Sequence, residues 1–277
     1  MAREFQVDPQ SDSVLVAELT TGERLFLVRA VADVLELLGE DENYFVPTDG
    51  TTDQSAQSLG NRFNFDTLRV EDLVNPPVVP DYIDSPGNWT APEVEDTEEI
   101  AVEHLEAVID ALSDSDETPP PTDPAVRRLL PDASLDPDVA AEFRKYTDFE
   151  LREQKVQRLM LLSDRLTDVE PSTEDDEHLD FPVALAEAEH FAAALGDLRL
   201  VLGERLDLRT DDDSTELYEQ VVEIAQRMQT ESIDAYELSP HEERRYIMGM
   251  LFELAGYLQE SLTACMLDNL RAKRAKK

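Results

Sequence analysis

The stretch ALGDLRLVLGERL, residues 194–206, limits the fold more than any other part of the chain. At 100° per residue, Leu195, Leu198, Leu202 and Leu206 line one side of a helix, Asp197 and Glu204 lie opposite, and Arg199 falls within the seam beside Gly196 and Gly203. Four leucines in a row must be covered by other helices, and an arginine among them needs a partner there. Arg205 borders the same seam. The spacing therefore predicts a helical bundle with this helix packed inside it.

Elsewhere the apolar positions follow the same period. Thr20 and Glu23 form a capping-box pattern ahead of Leu25, Val28, Val31, Leu35 and Leu38, with Gly39 as the stop. Asp123-Pro124 and Asp136-Pro137 each set a capping acid before a proline suited to the first helical turn. Thr147 and Glu150 read as a further capping box, opening a stripe of Leu151, Val156, Leu159, Leu162 and Leu166. Residues 167–180 read as a polar loop, and the helix carrying the leucine seam is expected from about Pro182. The run LRTDDDSTE then separates it from a helix over about 217–228. Ser239-Pro240-His241-Glu242 starts a long helix whose stripe runs from Tyr246 to Cys265 and ends in the basic tail RAKRAKK. Before all of these, residues 4–7 and 13–19 alternate around DPQSD and predict a small β-hairpin. The expected fold is mainly α, a helical bundle with a small N-terminal β-hairpin and a long irregular acidic insertion. Residues 1–39 and 100–277 form one core, in one domain overall, and residues 40–99 form the insertion, rich in Pro, Gly and acid. Phe63, Phe65, Tyr82 and Trp89 within it could anchor the insertion to the core or contact a partner. A helix is expected over 100–112 and a flexible joint over 113–123.

Charge excludes more than it selects. The chain has 63 acidic residues against 24 basic ones, a formal net charge of −39, which repels nucleic-acid phosphates over most of the surface. Direct nucleic-acid binding is expected at most weakly, through the C-terminal tail. Only Lys145 and Lys155 precede the tail lysines, so arginine supplies most of the positive charge. Acid excess with few lysines fits a salty cytoplasm or a basic partner. Cys265 is the single cysteine, so no intramolecular disulfide can form; its apolar helix position suits a core residue. The start MAREFQVDPQ lacks the blocks of a signal peptide, and no apolar run approaches the ~18 residues of a membrane span. The expected setting is the cytoplasm, without membrane contact.

Motifs for chemistry are absent. No phosphate loop, dinucleotide turn, nucleophile elbow or zinc helix occurs. EDDEH at 174–178 and Asp211 to Asp213 lack calcium-loop spacing and read as solvated loops. His190 and His241 have no local nucleophile or orienting acid. No catalytic residue, metal ligand or cofactor is assigned. Asp197, Arg199, Glu204 and Arg205 are the candidate structural or partner-binding residues. Two readings of the arginines stand: guanidinium groups paired with acids from other helices, or a pocket for an anion or a partner's acid.

Three blocks carry a family resemblance. They are DPAVRRLLPDASLDPDVAAEFRKYTDFELREQK at 123–155, ALGDLRLVLGERL, and YLQESL at 257–262. Together they resemble an actinobacterial family of unknown function that is commonly encoded near the ClpS protease adaptor and is also called actinobacterial oxidative stress regulators. The resemblance implies a mostly helical, non-enzymatic cytoplasmic protein that regulates stress-linked transcription through protein contact, with an alternative sigma factor as one partner. An N-terminal disulfide switch suggested for some relatives cannot operate here, because the N-terminus has no cysteine. An intermolecular bond through Cys265 or a redox-independent contact would have to replace it. The alternatives are a small-anion-binding protein or enzyme with a pocket around Arg199 and Arg205, and an acidic mimic of nucleic acid.

Overall fold

The computed structural model describes residues 2–39, 119–168, 178–230 and 238–275. The elements run β1 (Arg3–Asp8), β2 (Ser11–Thr20), α1 (Thr21–Gly39), α2 (Pro124–Leu129), α3 (Pro137–Thr167), β3 (His178–Ala184), α4 (Ala188–Arg205), α5 (Asp211–Thr230) and α6 (Pro240–Ala275). The protein is mainly helical, with a small antiparallel sheet. The expected insertion at 40–99, the helix over 100–112 and the joint up to residue 118 lie outside the described residues, as do most of EDDEH and the last two lysines.

The hairpin forms as expected, with Val7 opposite Leu15 and Gln6 opposite Val16. A third strand joins it from the middle of the chain. β3 pairs antiparallel with β2, from Thr20 opposite His178 to Val14 opposite Ala184, so β2 is central. This corrects the polar loop read over 178–180 and the helix start read at Pro182, while residues 169–177 of that expected loop lie outside the described residues. Pro182 cannot donate to a ladder, but β3 is an edge strand, where a proline is tolerated. Leu15, Ala17 and Leu19 of β2 and Phe181 and Val183 of β3 are buried at every second position, the period of a sheet with one covered face. Phe181 stands between Phe5 and Phe191, with ring centroids 5.9 and 6.1 Å apart, and joins the sheet to α4.

The other edge is closed by α6. Ser261 Oγ accepts the backbone N–H of Phe5 at 3.3 Å, and Cys265 Sγ donates to the Phe5 carbonyl at 3.1 Å. Two side chains one helical turn apart thus satisfy both polar groups of one residue on β1, an edge that would otherwise be open to pairing. Burial, with Asp268 and Glu4 nearby, pushes the Cys265 thiol above its ordinary value. A thiol held in this way is a poor nucleophile, so the geometry favours a structural role over an intermolecular disulfide.

Local signals explain most helix ends. At α1, Thr20 N–H donates to Glu23 at 3.0 Å and Glu23 N–H to Thr20 Oγ1 at 3.3 Å, the reciprocal capping box. Asp123 and Asp136 cap α2 and α3, each with proline in the first turn. Ser239 and Glu242 cap α6. Two boundaries differ from expectation. Thr147 lies inside α3, where its hydroxyl donates to the Phe143 carbonyl at 2.9 Å; a residue able to cap a helix can also bond back to the preceding turn. α5 begins at Asp211, not near 217, because Thr210 and Asp213 form their own box: Asp213 Oδ2 accepts from Thr210 N at 2.7 Å and Asp213 N donates to Thr210 Oγ1 at 3.2 Å. The acidic run is therefore the first turn of a helix, where negative charge meets the positive end of the dipole.

Buried arginines hold elements that share little sequence proximity. Arg24 of α1 donates to the carbonyls of Leu179 (3.0 Å) and Asp180 (2.6 Å) and lies 5.7 Å from the Phe181 ring centroid. Burial lowers its pKa, opposed by the Asp180 charge. Arg152 of α3, 1% exposed, donates to the Leu38 carbonyl in the last turn of α1 at 2.5 Å and to Asp148 at 3.2 Å. It serves as a C-terminal cap supplied by a different helix. Arg152→Ala should remove that cap and leave a cavity, lowering stability by about 2–4 kcal/mol. Urea denaturation checks this as a lower midpoint at unchanged slope.

Candidate functional site

α4 is enclosed on several sides, and its charged residues face different neighbours. Asp197 is 3% exposed. It accepts from Lys155 Nζ at 2.8 Å and Arg158 Nε at 2.7 Å, both from α3. The side of α4 opposite the leucines, where Asp197 was expected, here faces another helix. Glu204 accepts from Arg128 Nε of α2 at 2.6 Å and from both Nη atoms of Arg209 at 2.6 and 2.8 Å. Arg205 pairs at 2.6 Å with Asp123, the acid that also caps α2.

Arg209 is set by the end of α4. Leu208 N–H returns to the Gly203 carbonyl at 2.8 Å, which places Asp207 in the left-handed region at φ 59°. Glycine is the usual residue there, but a short acid is tolerated and its carboxylate accepts from Arg209 Nε at 2.8 Å.

Arg199 is tied to an amide and a ring instead of a carboxylate. Its Nη1 donates to Gln259 Oε1 at 2.9 Å, and its guanidinium sits 4.9 Å from the Phe252 ring centroid. Gln259 Nε2 in turn donates to the Ala192 carbonyl at 3.0 Å. The two side chains cross in opposite directions, each over a glycine. A Cβ at Gly256 would stand 3.3 Å from Arg199 Nε, and a Cβ at Gly196 would stand 2.9 Å from Gln259 Nε2. Gly203, also expected to permit close approach, has room: its nearest neighbour would be Phe252 at 3.8 Å. Arg199 Nε is buried without an acceptor.

Beside this crossing lies an open cleft with two lobes. The first, about 610 Å³, is lined by Arg128, Arg158, Arg199 and Arg209 around Gly196 and Leu200. The second, about 860 Å³, lies between α5 and α6 and is lined by Tyr218, Phe252, Tyr257 and Leu267, with Glu253 and Glu260. Arg199, Ser214, Phe252 and Gln259 line both. Arg205 lines neither, so the pocket expected around Arg199 and Arg205 does not form from that pair. Arg128, Arg158 and Arg209 take its place. Sequence reasoning missed them because they come from three segments, although Tyr257 and Gln259 lie within YLQESL, one of the blocks already singled out.

Electrostatics differ between the lobes. Hydrogen bonds from Arg209 hold the Glu204 carboxyl below the usual carboxylate range, with Arg128 adding to the effect and partial burial opposing it. Glu253 is pushed up by burial, against the pull of Arg199. Among the described residues, no three His, Cys, Asp or Glu side chains group as metal ligands would. Asp213 caps α5, and His190 and His241 are exposed.

Residues 2–266 match the family model described as Domain of unknown function (DUF2017). The chain belongs to this family. No curated protein and no solved structure matches it. Among the described residues no helix is long and apolar enough to cross a membrane. Several charged residues in the blocks noted above tie elements of this chain together: Asp132 to Arg144, Arg152 to α1, Asp197 to α3, Glu204 and Arg205 to α2.

Two measurements follow. Arg199→Ala and Gln259→Ala, singly and together, should show a coupling of about 1 kcal/mol in a double-mutant cycle, since each variant breaks the same crossing. Glu204, with its pKa lowered by folding, adds stability above the unfolded value of about 4.3, and that stability is lost as pH falls through the lowered folded value. Glu204→Gln should accordingly be less stable than wild type at neutral pH, with the difference closing in strong acid. Denaturation midpoints across the pH range read this directly.

Proposed function

We propose that this protein is a non-enzymatic interaction protein acting in the cytoplasm, with another protein as its partner and the cleft along α4, α5 and α6 as the contact surface. The observation that carries the reading is the cleft itself, open along two lobes of unlike chemistry that meet at Arg199. Each lobe alone, about 610 and 860 Å³, has the ~300–1,000 Å³ of a small-ligand pocket, but the two adjoin along shared residues, as a groove for an extended occupant does. Its arginines are also held in place by internal contacts, which lowers the entropy lost when a partner docks. The family resemblance adds a finer proposal: contact with a component of stress-linked transcription, such as an alternative sigma factor, in an actinobacterial setting. With the Cys265 thiol engaged by Phe5, this contact is proposed to be redox-independent.

A small-anion site is the second reading, and one feature favours it. Arg128 and Arg199 both line the first lobe, and among the described residues Arg199 spends its Nη1 on Gln259, which leaves its Nη2 as a donor for a ligand oxygen. The length of the cleft favours the first reading.

The test is affinity capture by the full chain from a native lysate of the source organism at low and high salt. Wild type should retain a stoichiometric protein that both Arg199→Gln and Tyr257→Ala release. No stoichiometric partner at either salt, or equal retention by both variants, would reject the reading.

A further inference from the structure

We infer that the C-terminal part of α6 pairs antiparallel with the same segment of a second copy of this chain, Glu260 of each copy meeting Arg271 of the other. This goes beyond the interaction reading above and is decided by different residues.

α6 outruns the rest of the bundle. Its last buried side chain is Leu262, so residues 263–275, roughly 20 Å of helix at 1.5 Å per residue, project past the core. α5 lies alongside the earlier part: a Cβ on Gly249 would meet Leu217 and Val221, and Arg245 Nε donates to Gln220 at 3.1 Å. The two helices run in opposite directions, so α5 begins level with Gly256 and Glu260, where Ser214 and Tyr218 stand. Beyond that level, the side of α6 that α5 covers continues uncovered among the described residues.

That side carries one regular stripe. Tyr257, Glu260, Ala264, Leu267, Arg271 and Arg274 are spaced alternately three and four residues apart, the repeat of a helix-pairing seam. At 100° per residue they fall within about 100° of arc, which also holds Gly249. All six are exposed, Tyr257 by 41% and Leu267 by 46%. The Arg271 guanidinium meets only Asp268 at 2.9 Å, an exposed pair that contributes little and is readily exchanged.

The stripe is complementary to itself when reversed. In an antiparallel pair centred between Cys265 and Met266, Ala264 faces Leu267 of the second copy, Glu260 faces Arg271 and Tyr257 faces Arg274. Small meets large, acid meets base, and a guanidinium meets an aromatic face. Two-fold symmetry makes each contact twice. A parallel pair would instead set Glu260 on Glu260 and Arg271 on Arg271, so the charges also fix the direction.

Net charge selects this end of the molecule. Two copies of a chain of net charge −39 repel across most of their surface. Over residues 263–275, however, Arg271, Lys273 and Arg274 stand against a single acid, Asp268. At about 0.15 M salt the Debye length of ~8 Å screens the two bodies from each other, while contacts within the seam persist. A seam of about three to four turns is at the small end of specific interfaces, so the dimer is expected to dissociate on dilution. Tyr257 also lines the cleft, so a second copy and a partner seated along its full length exclude each other there.

Sedimentation equilibrium of the full chain over a concentration series at that salt tests the pairing. Wild type is expected to pass from monomer to dimer. Glu260→Arg and Arg271→Glu should each weaken the dimer about tenfold, since each sets like charges in two facing layers. The chain carrying both changes should recover wild-type affinity to within about threefold. Both positions are exposed, so the variants keep the fold, and thermal melts check this. A monomer at every concentration would overturn the proposal, as would a dimer that neither single change weakens or one that the double change fails to restore. The interaction reading stands apart from these results, since partner release from lysate by Arg199→Gln decides it.

Discussion

Helices α2, α3 and α6 are positioned by the charged residues of α4. Its leucines face the core, and the remaining sides are covered by α2, α3 and α6, so Asp197 meets α3, Arg199 meets α6, and Glu204 and Arg205 meet α2. Asp197, 3% exposed, is tolerated because it is paired and hydrogen-bonded, and removing its cations would leave it with the full desolvation cost. The ties are therefore specific about geometry even where their net contribution to stability is modest. Asp197 fixes α3 against α4, Arg205 and Glu204 fix α2, and the exchange of Arg199 with Gln259 across two glycines fixes α6.

The same arrangement links fold to site. Because Asp197 and Glu204 each engage two cations, four basic side chains gather along one flank of α4 with little freedom to move. Arg199 joins them from the seam itself and marks the point where the basic lobe passes into the aromatic one. Residues that hold the bundle together also line the cleft, so the guanidinium groups that tie the helices also face its opening. Arginine suits both, since its planar fork can satisfy an internal acid on one edge and present donors on another.

The sheet shows a second economy of parts. β2 is the central strand, β3 closes one side with a proline at the outer edge, and α6 covers the other through Ser261 and Cys265. Neither edge is left as a long unpaired ladder, the feature that promotes strand exchange between chains. Cys265 thus has a defined structural task, consistent with a raised thiol pKa.

Much of this was legible in residue order. The capping boxes at Thr20 and Ser239, the Asp-Pro starts of α2 and α3, the hairpin and the leucine seam all depend on neighbours a few positions apart, and local spacing reports them. Thr147 and the acidic start of α5 were misread because a capping residue can also bond back within a helix and because an acidic run can cap as well as interrupt. β3 was missed because its reason for being a strand is β2, more than 150 residues earlier, which offers it a ladder. The sequence by itself determined that the protein is helical, that α4 is buried and that its arginines need partners, since periodicity and the cost of burying charge act locally. Tertiary structure alone decided which partner each charge received, that Arg205 leaves the cleft while Arg128, Arg158 and Arg209 enter it, and that an aromatic lobe adjoins them, because those choices depend on how distant helices cross.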